Sequence, residues 1–579
     1  DPGEASTYYL QSSARGVLSA FDEIFSRATT SARSIAGSAV QSKNLREQFG
    51  NAIYQGTFDT ADWSGDLLSI PVSVNAANAV TISPTNNWTA ATKLGQMATP
   101  ATSRTIVVGR PGGNANPTAR NFLWNSIDSD LQTQLDKAAP TATADGLGSE
   151  RLLYLRGKRA LEGTIFRLRN KLLGDIINSG VVFSGKPTMN ISSAGSSSYS
   201  SFASTVNALN NGAGRTPAVF VGANDGMLHA FEATTGQTSS GQELFGFIPS
   251  WMGPKLSALT RSDYINNHQA YVDGPPEVAD ALVGQSPDVW KTVLVSGTGA
   301  GGRGVFALDV TDPSAFDASK VMWEFTQADD VDMGFVIGRP KIVKIRTSPT
   351  ASAPVYRWFA AVPSGVNNYK DDGAGRFSTT GEPVLFLLAL DKAPGVAWTT
   401  TGAGANYYKI VLPVNITAIA SGLANFSTSL GKVGEAAQMY MGDLHGNMWK
   451  LDFELAVNGT ADWALNKLSP FVKSGVPYPL YIARDGTPAH DRQPITMAPS
   501  LIRGETNKST YVAFGTGKYL ELADKSTGNK QSVYAVFDHD DDPSPDQPIT
   551  NTATQSTING RDRLKAGTTN ITNGTVTVG

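Results

Sequence analysis

The stretch AVFVGANDGMLHAFEATTG, residues 218–236, places an apolar run on each side of a short segment that contains Gly, Asn and Asp. Two apolar runs joined by such turn residues predict a β-hairpin. The same order of features recurs at irregular intervals along the chain, in Thr292–Asp312, Trp358–Gly395, Gln438–Glu454 and Tyr511–Asp540. The sequence therefore predicts a repeated hairpin unit.

A repeated hairpin cannot bury both of its faces alone, so the copies must pack against one another. Radial packing of such units gives a β-propeller. We expect a mainly β fold of about six to eight blades, with seven preferred, in which each hairpin supplies the two inner strands of a blade. A pair of β-sandwiches is the alternative, and the similarity of the turns disfavours it.

The first part of the chain differs from these repeats. Residues 12–33 carry an apolar stripe at helical spacing, which predicts an amphipathic helix. Ala52–Val74 indicates a strand, a turn and a second strand, and the Arg- and Leu-rich stretch Glu150–Ile177 indicates another helix. We therefore predict an N-terminal helical and strand segment, residues 1–200, that completes or decorates the propeller. Residues 201–579 hold the propeller repeats and a Thr- and Asn-rich C-terminal tail.

The composition limits the classes of function. Lys and Arg number 47 against 50 Asp and Glu, and this net charge of −3 argues against nucleic acid or anionic lipid as the main partner. The chain has no cysteine, which excludes disulfides, thiol nucleophiles, iron–sulfur clusters and cysteine zinc sites. No apolar run reaches the roughly 18 residues that suggest a membrane span. A start at Asp1 without a signal peptide predicts a mature fragment or a piece of a longer protein.

Searches for catalytic motifs give negative results. The glycine-rich stretch GTGAGGRG, residues 297–304, lacks a following Lys-Ser/Thr pair and leads into a strand, which indicates a hairpin turn rather than a phosphate site. His229 and His445 stand in two of the repeats, and we expect them at a blade surface. Neither an HExxH motif nor a serine-nucleophile elbow occurs. We predict that the protein is not an enzyme.

Acidic residues supply the candidate metal site. In FDHDDDPSPD, residues 537–546, the carboxylates of Asp538, Asp540 and Asp542 alternate along a Pro-containing loop, an arrangement that suits calcium. The loop lacks the Gly and the Glu of an EF-hand, so a solvated acidic turn is the alternative. Residues 329–332 and 371–372 are weaker acidic candidates.

Three aromatic residues lie on predicted strands. Trp323, Trp449 and Tyr519 belong to the strand patterns of the repeats. We expect them in the core between blades rather than on a platform that stacks a ligand.

Seven phrases of the sequence occur in a fixed order: FDTADWSGDL, RLLYLRGKRALEG, LLGDIINS, VFVGANDGMLHAFEATTG, YVDGPPEVADA, WKTVLVSGTGAGGRGVFALDVTDP and FGTGKYLE. Together they resemble the C-terminal β-propeller region of the PilC/PilY family of type IV pilus-associated tip proteins. The resemblance extends from Ala5 to Asp540. It implies a modified seven-bladed propeller with quinoprotein-like blades.

The resemblance also implies a function. Proteins of this family are tip adhesins that support pilus assembly, counteract retraction and permit twitching motility. The implied partners are pilin or minor pilin subunits together with a host or abiotic surface. The implied location is the bacterial cell surface or pilus tip, reached through the periplasm. The variable N-terminal region of the family has no counterpart here, so adhesive specificity attributed to it is not readable.

One departure from the family concerns calcium. Many members carry an Asp-x-Asp-x-Asp loop directly before the strand that corresponds to Gln438–Phe453. Here residues 426–438 read FSTSLGKVGEAAQ, with Lys432 near the centre and Glu435 as the single carboxylate. One carboxylate beside a lysine cannot replace a ring of carboxylates around a divalent ion, so we do not expect calcium at this place. No Arg-Gly-Asp tripeptide occurs.

Two other functions stay open at this point. A secreted sugar- or ligand-binding propeller without a pilus role would carry similar repeats. A quinoprotein dehydrogenase is the second alternative, because GANDGMLHAFEATTG also resembles those propellers. Such enzymes commonly hold their quinone against a disulfide of adjacent cysteines, and this chain has no cysteine.

Overall fold

The computed structural model has a mainly β architecture. Its helices are few and short, and none in the described part of the chain is both long and apolar enough to cross a membrane. The structure describes residues 34–40, 51–74, 80–187, 198–284, 287–414, 420–473, 475–485, 492–503, 510–526, 528–538, 569–572 and 575–578.

The secondary structure follows chain order. The strands are β1 Ser34–Val40, β2 Asn51–Asp59, β3 Ser64–Val74, β4 Val80–Ile82, β5 Trp88–Thr89, β6 Ile106–Gly109, β7 Ala119–Asn121, β8 Val182–Ser184, β9 Ala218–Gly222, β10 Leu228–Glu232, β11 Glu243–Ile248, β12 Glu277–Gly284, β13 Val289–Gly297, β14 Gly304–Asp309, β15 Val321–Thr326, β16 Lys341–Arg346, β17 Tyr356–Pro363, β18 Val384–Ala389, β19 Tyr407–Val411, β20 Leu423–Leu430, β21 Ala436–Asp443, β22 Asn447–Asp452, β23 Val472–Lys473, β24 Val476–Pro477, β25 Tyr481–Ile482, β26 Ser500–Arg503, β27 Thr510–Gly515, β28 Val533–Asp538, β29 Thr569–Thr572 and β30 Thr575–Val578. The α-helices are α1 Ala90–Gly95, α2 Pro100–Ser103, α3 Ser129–Leu135, α4 Gly148–Leu155, α5 Ser198–Ala208, α6 Gly253–Leu256 and α7 Leu465–Leu468.

All five predicted hairpins are present as antiparallel strand pairs. They are β9–β10, β13–β14, β17–β18, β21–β22 and β27–β28. Three of these pairs form the middle of a four-stranded sheet, with outer strands that come from the intervening segments. The prediction of a repeated hairpin with added outer strands is confirmed for these three units.

The larger sheets of the described residues are named here in chain order. The N-terminal sheet contains β1–β5, and the mixed sheet contains β6–β11. The first, second and third four-stranded sheets contain β12–β15, β16–β19, and β20–β22 with β25. The three-stranded sheet contains β26–β28, while β23–β24 and β29–β30 form separate two-stranded ladders.

The strands of the first four hairpins are largely buried on both faces, which explains their nearly continuous apolar runs, whereas β27 and β28 expose one face. Alternate side chains of a strand point to opposite faces of its sheet. In β9, Val219 and Val221 share a core with the N-terminal sheet. Phe220, which lies between them, belongs to a second core with Leu294 and Phe306 of the first four-stranded sheet. The mixed sheet therefore lies between its two neighbours.

The same relation continues along the chain. One core joins the first and second four-stranded sheets, another joins the second and third, and a further core joins the third to the three-stranded sheet. A β-sandwich has a single core between two sheets. Six sheets in succession, each sharing a core with the next, fit serial stacking of blades and disfavour a pair of sandwiches.

The N-terminal part of the chain contributes strands to the mixed sheet. The strand order is β7-β6-β11-β10-β9-β8, so β6 and β8 border strands that follow residue 200, and β7 extends the sheet beyond β6. β6 pairs with β11 in parallel, which a local hairpin cannot produce. Helix α5 runs across residue 200, and the predicted domain boundary at that residue stays a prediction.

Two sequence predictions for this region have clear outcomes. The strand, turn and strand within Ala52–Val74 are confirmed by β2 and β3. The helix predicted over Glu150–Ile177 is wrong beyond Leu155, where α4 ends. Gly157 and Gly163 adopt φ angles of 115° and 76°, a left-handed region that ends a helix. The helix predicted over residues 12–33 lies outside the described residues.

The Arg- and Leu-rich pattern that predicted a longer helix has another cause, because the arginines that follow α4 are buried. The Arg156 guanidinium donates hydrogen bonds to the carbonyl oxygens of Ala101 and Phe122, at 2.6 and 3.0 Å. Arg169 donates to the carbonyl oxygen of Tyr154 at 2.9 Å. These arginines are buried donors that satisfy backbone carbonyls, and they are not the solvated face of an amphipathic helix.

Candidate functional site

A chain of four charged side chains is buried inside the mixed sheet. Arg104, just before β6, donates from Nε and Nη2 to the two carboxylate oxygens of Glu243, at 2.5 and 2.7 Å. His229 of β10 lies 2.7 Å through Nδ1 from Glu243 and 3.0 Å through Nε2 from Asp225. The side chains of Arg104, His229 and Glu243 are nearly inaccessible to solvent, and Asp225 is 18% exposed.

The electrostatics of this chain follow from its alternating charges. Burial alone would lower the pKa of His229, but the carboxylates of Asp225 and Glu243 raise it to about 9. Burial alone would raise the pKa of Glu243, but Arg104 and His229 lower it to about 2. His229 is therefore an imidazolium at neutral pH, and it has no free nitrogen that could act as a general base.

The four charged side chains link distant parts of the chain. Arg104 belongs to the N-terminal segment, whereas Glu243 begins the strand that pairs with β6. Two cations and two carboxylates balance one another in the order Arg104, Glu243, His229, Asp225. A buried carboxylate requires such partners, because an unpaired charge in the interior is very costly.

A cleft opens beside Asp225, the exposed end of this chain of charges. Its walls come from the β2–β3 turn, the segment that follows α4, the β9–β10 turn and the 3₁₀ helix Ser262–Asn266. Polar and aromatic side chains at the cleft include Asp62, Trp63, Arg167, Arg169, Asn170, Lys171, Asp225 and Tyr264.

The backbone of Trp63 is held in an unusual conformation at the cleft. Its φ angle is 55°, which is rare for a bulky aromatic residue and costs free energy. The indole stacks on the ring of His268 with 3.8 Å between ring centres, and its Nε1 donates to the carbonyl oxygen of Ile265 at 2.9 Å. His268 in turn lies 2.9 Å through Nε2 from Asp175. These contacts fix one wall of the cleft.

The sequence-predicted calcium ligands fall at the end of β28. Asp538 is buried, and its Oδ2 lies 2.7 Å from Nζ of Lys450 and accepts a hydrogen bond of 2.5 Å from the Tyr440 hydroxyl. Asp540 and Asp542 lie outside the described residues. Within the described ranges, no group of three His, Asp or Glu side chains is placed to hold a metal ion. Calcium at Asp538, Asp540 and Asp542 stays a prediction.

The weaker acidic candidates are engaged in the described structure. Asp330 and Asp332 both form ion pairs with Lys409, at 3.1 and 2.8 Å. Asp371 and Asp372 accept hydrogen bonds from backbone amides of their own loop, and Asp372 also pairs with Arg376 at 2.9 Å. Each of these carboxylates thus has a partner that is not a metal.

A short turn lies within residues 426–438, the stretch where the sequence predicts no calcium site. It joins β20 to β21, and Glu435 accepts a hydrogen bond of 2.9 Å from the amide of Val433. The carbonyl of Val433 accepts a hydrogen bond from Nζ of Lys344. The single carboxylate of the segment therefore caps its own turn.

The two repeat histidines are not surface residues, so the prediction for them is wrong. His229 is fully buried and His445 is 4% exposed. They also occupy different positions: with Gly226 and Gly446 as the matching turn glycines, His445 matches Asp225 and His229 matches Trp449. The sequence around a histidine does not show whether the fold places carboxylates beside it that permit its burial.

The glycine-rich stretch and the aromatic residues give mixed outcomes. GTGAGGRG forms the connection between β13 and β14, as predicted. Trp323 and Trp449 are each 1% exposed and lie in cores between sheets, which confirms the prediction for them. Tyr519 is 72% exposed, so its predicted place in the core is wrong.

The comparisons with known proteins agree with the sheet arrangement and with the sequence motifs. The family described as "PilY1 beta-propeller domain" matches residues 173–369 and 400–569, more than half of the chain. The chain belongs to this family. The predicted resemblance to the PilC/PilY proteins is thereby confirmed.

Named relatives extend the match beyond the propeller region. The "Type IV pilus biogenesis factor PilY1" of Pseudomonas aeruginosa strain PAK is 32% identical over 543 residues, which cover 90% of this chain and 42% of that protein. A "Type IV pilus biogenesis factor PilY1 homolog" of Xylella fastidiosa strain Temecula1 is 30% identical, covering 90% of this chain and 34% of that protein. The chain thus spans less than half the length of these relatives.

A solved structure is also similar. The crystal structure of the Pseudomonas aeruginosa PilY1 C-terminal domain is 27% identical and covers 68% of this chain and 71% of the solved chain. Its TM-score of 0.45 is too low to carry an argument about blade number.

Proposed function

We propose that this chain supports type IV pilus biogenesis as a tip-associated binding module. The observation that carries the proposal is membership of the PilY1 β-propeller family together with relatives named as type IV pilus biogenesis factors. The match extends over 90% of the chain, including the N-terminal segment that a generic propeller would not share.

The buried charges support binding rather than catalysis. The most strongly perturbed histidine, His229, is held between two carboxylates as a cation and has little access to solvent. Such a group stabilises the fold, whereas a general base needs a free nitrogen near neutral pH. In this proposal the sheets provide a rigid body, and exposed loops between strands bind the partners.

A finer proposal concerns the fold. We infer a modified seven-bladed propeller with quinoprotein-like blades, in which the six described sheets supply six blades and a seventh closes the ring between the three-stranded sheet and the N-terminal sheet. The support is an apolar face at that end of the series. Tyr511, Val533 and Phe537 alternate with buried neighbours and are 44%, 86% and 41% exposed. An apolar sheet face of this kind is typically covered by another element.

The proposed partners and location follow from the same relatives. Pilin or minor pilin subunits would bind the module at the pilus tip, on the bacterial surface, after export through the periplasm. Binding there would counteract retraction and permit twitching motility and adhesion to host or abiotic surfaces.

Calcium binding belongs to the proposal as a separate part. Asp540 and Asp542 would supply carboxylate oxygens next to Asp538, one oxygen of which already contacts Lys450. Calorimetric titration of the chain with calcium tests this site. We expect binding heat that disappears in the Asp540→Ala, Asp542→Ala variant, and absence of heat in the parent chain rejects the site.

The pilus proposal is tested by deleting the gene in its own organism. We expect the deletion strain to lose most of its surface pilin, measured after shearing, and to lose twitching. Surface pilin should return when the retraction motor is also removed, because the proposed role is to counteract retraction. Normal surface pilin and twitching in the single deletion strain would reject the proposal.

A further inference from the structure

Arg167 in the cleft stands apart from the neighbouring arginines. Arg159 and Arg169 both pair with Glu162, at 3.2 and 2.6 Å. Arg167 forms no ion pair with any described residue, and its buried Nε and Nη1 atoms have no hydrogen-bond partner there. Unsatisfied buried donors are rare in folded proteins and indicate a group that occupies the space beside them.

Tyr264 places a second donor in the same cleft. Its ring lies under the Arg167 guanidinium, with 4.5 Å from Cζ to the ring centre. The side chain is 2% exposed, and its hydroxyl makes no hydrogen bond of normal geometry with a described residue. The O–H proton of this hydroxyl is therefore available for donation. Burial raises the pKa of Tyr264, so the hydroxyl keeps this proton at neutral pH.

The chemistry of the cleft selects its ligand. A guanidinium and a hydroxyl that both donate require an acceptor, and the cation favours a negative charge. Asp62 and Asp225 are also at the cleft, where they bind Asn170 and His229. The cleft also holds Arg169 and Lys171, which pair with Glu162 and Asp66. Arg167 therefore supplies one uncompensated positive charge, and this charge favours a monoanion over a dianion such as phosphate.

The size of the cleft narrows the choice further. Its cavity volume is about 20 Å³, little more than the roughly 10–15 Å³ that one water requires. One oxygen of a carboxylate fits such a space, with the rest of the group in the open part of the cleft.

The surroundings of the cleft are apolar and exposed. Leu168 follows Arg167 in the chain and is 69% exposed, and Ile265 follows Tyr264 and is 44% exposed. Ile165, on the other side of Arg167, is 51% exposed. A partner whose carboxylate enters the cleft would therefore place apolar residues against these side chains.

We propose that the cleft is a binding site for one carboxylate of a partner polypeptide, held by Arg167 and the Tyr264 hydroxyl and flanked by apolar residues. The carboxylate comes either from an Asp or Glu side chain or from a chain terminus. This inference goes beyond the proposed pilus function and does not depend on it.

Binding of labelled peptides to the full chain, followed by fluorescence anisotropy, tests the site. Three leucine-rich peptides differ in one group: a Glu with both ends blocked, a free C-terminal carboxylate without acidic side chains, and a Gln with both ends blocked. We expect one or both acidic peptides to bind at least about tenfold more tightly than the Gln peptide, as loss of a charge-assisted hydrogen bond predicts. The peptide that binds identifies the source of the carboxylate.

Substitutions link this binding to the cleft. Arg167→Met should weaken the acidic peptide about tenfold or more, and Tyr264→Phe, which removes only the hydroxyl, about fivefold. Arg376→Met serves as the matched control, because Arg376 is an exposed arginine paired with Asp372. Its binding should equal that of the parent chain.

Three results would overturn the site. They are equal affinity for all three peptides, absence of binding by both acidic peptides, and unchanged binding in the Arg167 variant. Should Arg167→Met fail to fold, Tyr264→Phe and Arg167→Lys carry the test. The assay uses purified chain, so its failure is distinct from normal piliation in a deletion strain.

Discussion

At the scale of single residues, the mixed sheet depends on buried charges that occur in alternating order. Arg104, Glu243, His229 and Asp225 each have an opposite charge beside them. Such a network is costly to disturb, because removing one member leaves another buried charge uncompensated. The cleft opens beside Asp225, at the exposed end of this network, and therefore lies next to a part of the fold that is costly to move.

His229→Gln tests this network. The pKa of His229 is raised from its ordinary value of 6.5 to about 9, so its stabilising effect is fully present below about pH 6.5 and is lost as the pH rises through 9. We expect the variant to lose about 3–5 kcal/mol of the free energy of unfolding near pH 6. The loss should shrink near pH 9.5, as measured by thermal unfolding at both pH values.

Lys525→Gln is the control for this variant, since it removes one exposed positive charge. We expect it to change the free energy of unfolding by less than about 0.5 kcal/mol at either pH. A His229 variant that matched this control at low pH would show that the network does not stabilise the fold.

The sequence predicted little of this site. The sequence analysis names His229, but its partners lie on other elements: Glu243 begins the next strand, β11, and Arg104, which pairs with Glu243, stands 139 residues before it. The Arg-rich segment that contains Arg167 is the part of the sequence that could have indicated the cleft. Arginines among apolar residues are compatible with buried hydrogen-bond donors as well as with the polar face of a helix. Only the contacts in the folded structure distinguish buried donors from the polar face of a helix.

At the scale of elements, hairpins build the fold, and local patterns predict them even where, as between β17 and β18, the connection is long. Apolar runs and turn residues are adjacent in the chain, so the five hairpins follow from the sequence. The parallel pairing of β6 with β11 does not, because it joins strands that are more than 100 residues apart. The sequence does not show the end of α4, because the apolar pattern continues beyond Gly157, the glycine whose positive φ follows the last turn of the helix.

Gly301→Ala tests the connection between β13 and β14. A Cβ at Gly301 would lie 1.5 Å from the carbonyl oxygen of Tyr271, so the backbone would have to shift. We expect a loss of about 1–3 kcal/mol in the free energy of unfolding, measured by chemical denaturation. Gly404→Ala is the control, because a Cβ there meets no atom within 4 Å. Equal stability of the two variants would contradict the close approach.

At the scale of the whole molecule, neighbouring sheets are joined by cores and by buried polar contacts. Lys450 of β22 and Asp538 of β28 form an ion pair of 2.7 Å that is almost completely inaccessible to solvent. The pair links the third four-stranded sheet to the three-stranded sheet. This contact stabilises the packing of these two sheets against each other.

Lys450→Met tests the contribution of this pair. The substitution leaves the carboxylate of Asp538 buried without its cation, and we expect a loss of about 3–5 kcal/mol in the free energy of unfolding. Adding Asp538→Asn should recover part of the loss, because the charge that needs compensation is then gone. Calorimetry on the two variants checks this, and a double variant less stable than the single one would contradict the role of the pair.

The central claim is that these sheets close into a single ring that serves as a binding platform. An experimental structure of the chain at side-chain resolution measures this most directly. The account predicts seven sheets around one axis, with the apolar face of the three-stranded sheet covered by the seventh sheet, which closes the ring toward the N-terminal sheet. A series that ends with Val533 and Phe537 open to solvent, or two separate sandwiches, would contradict it.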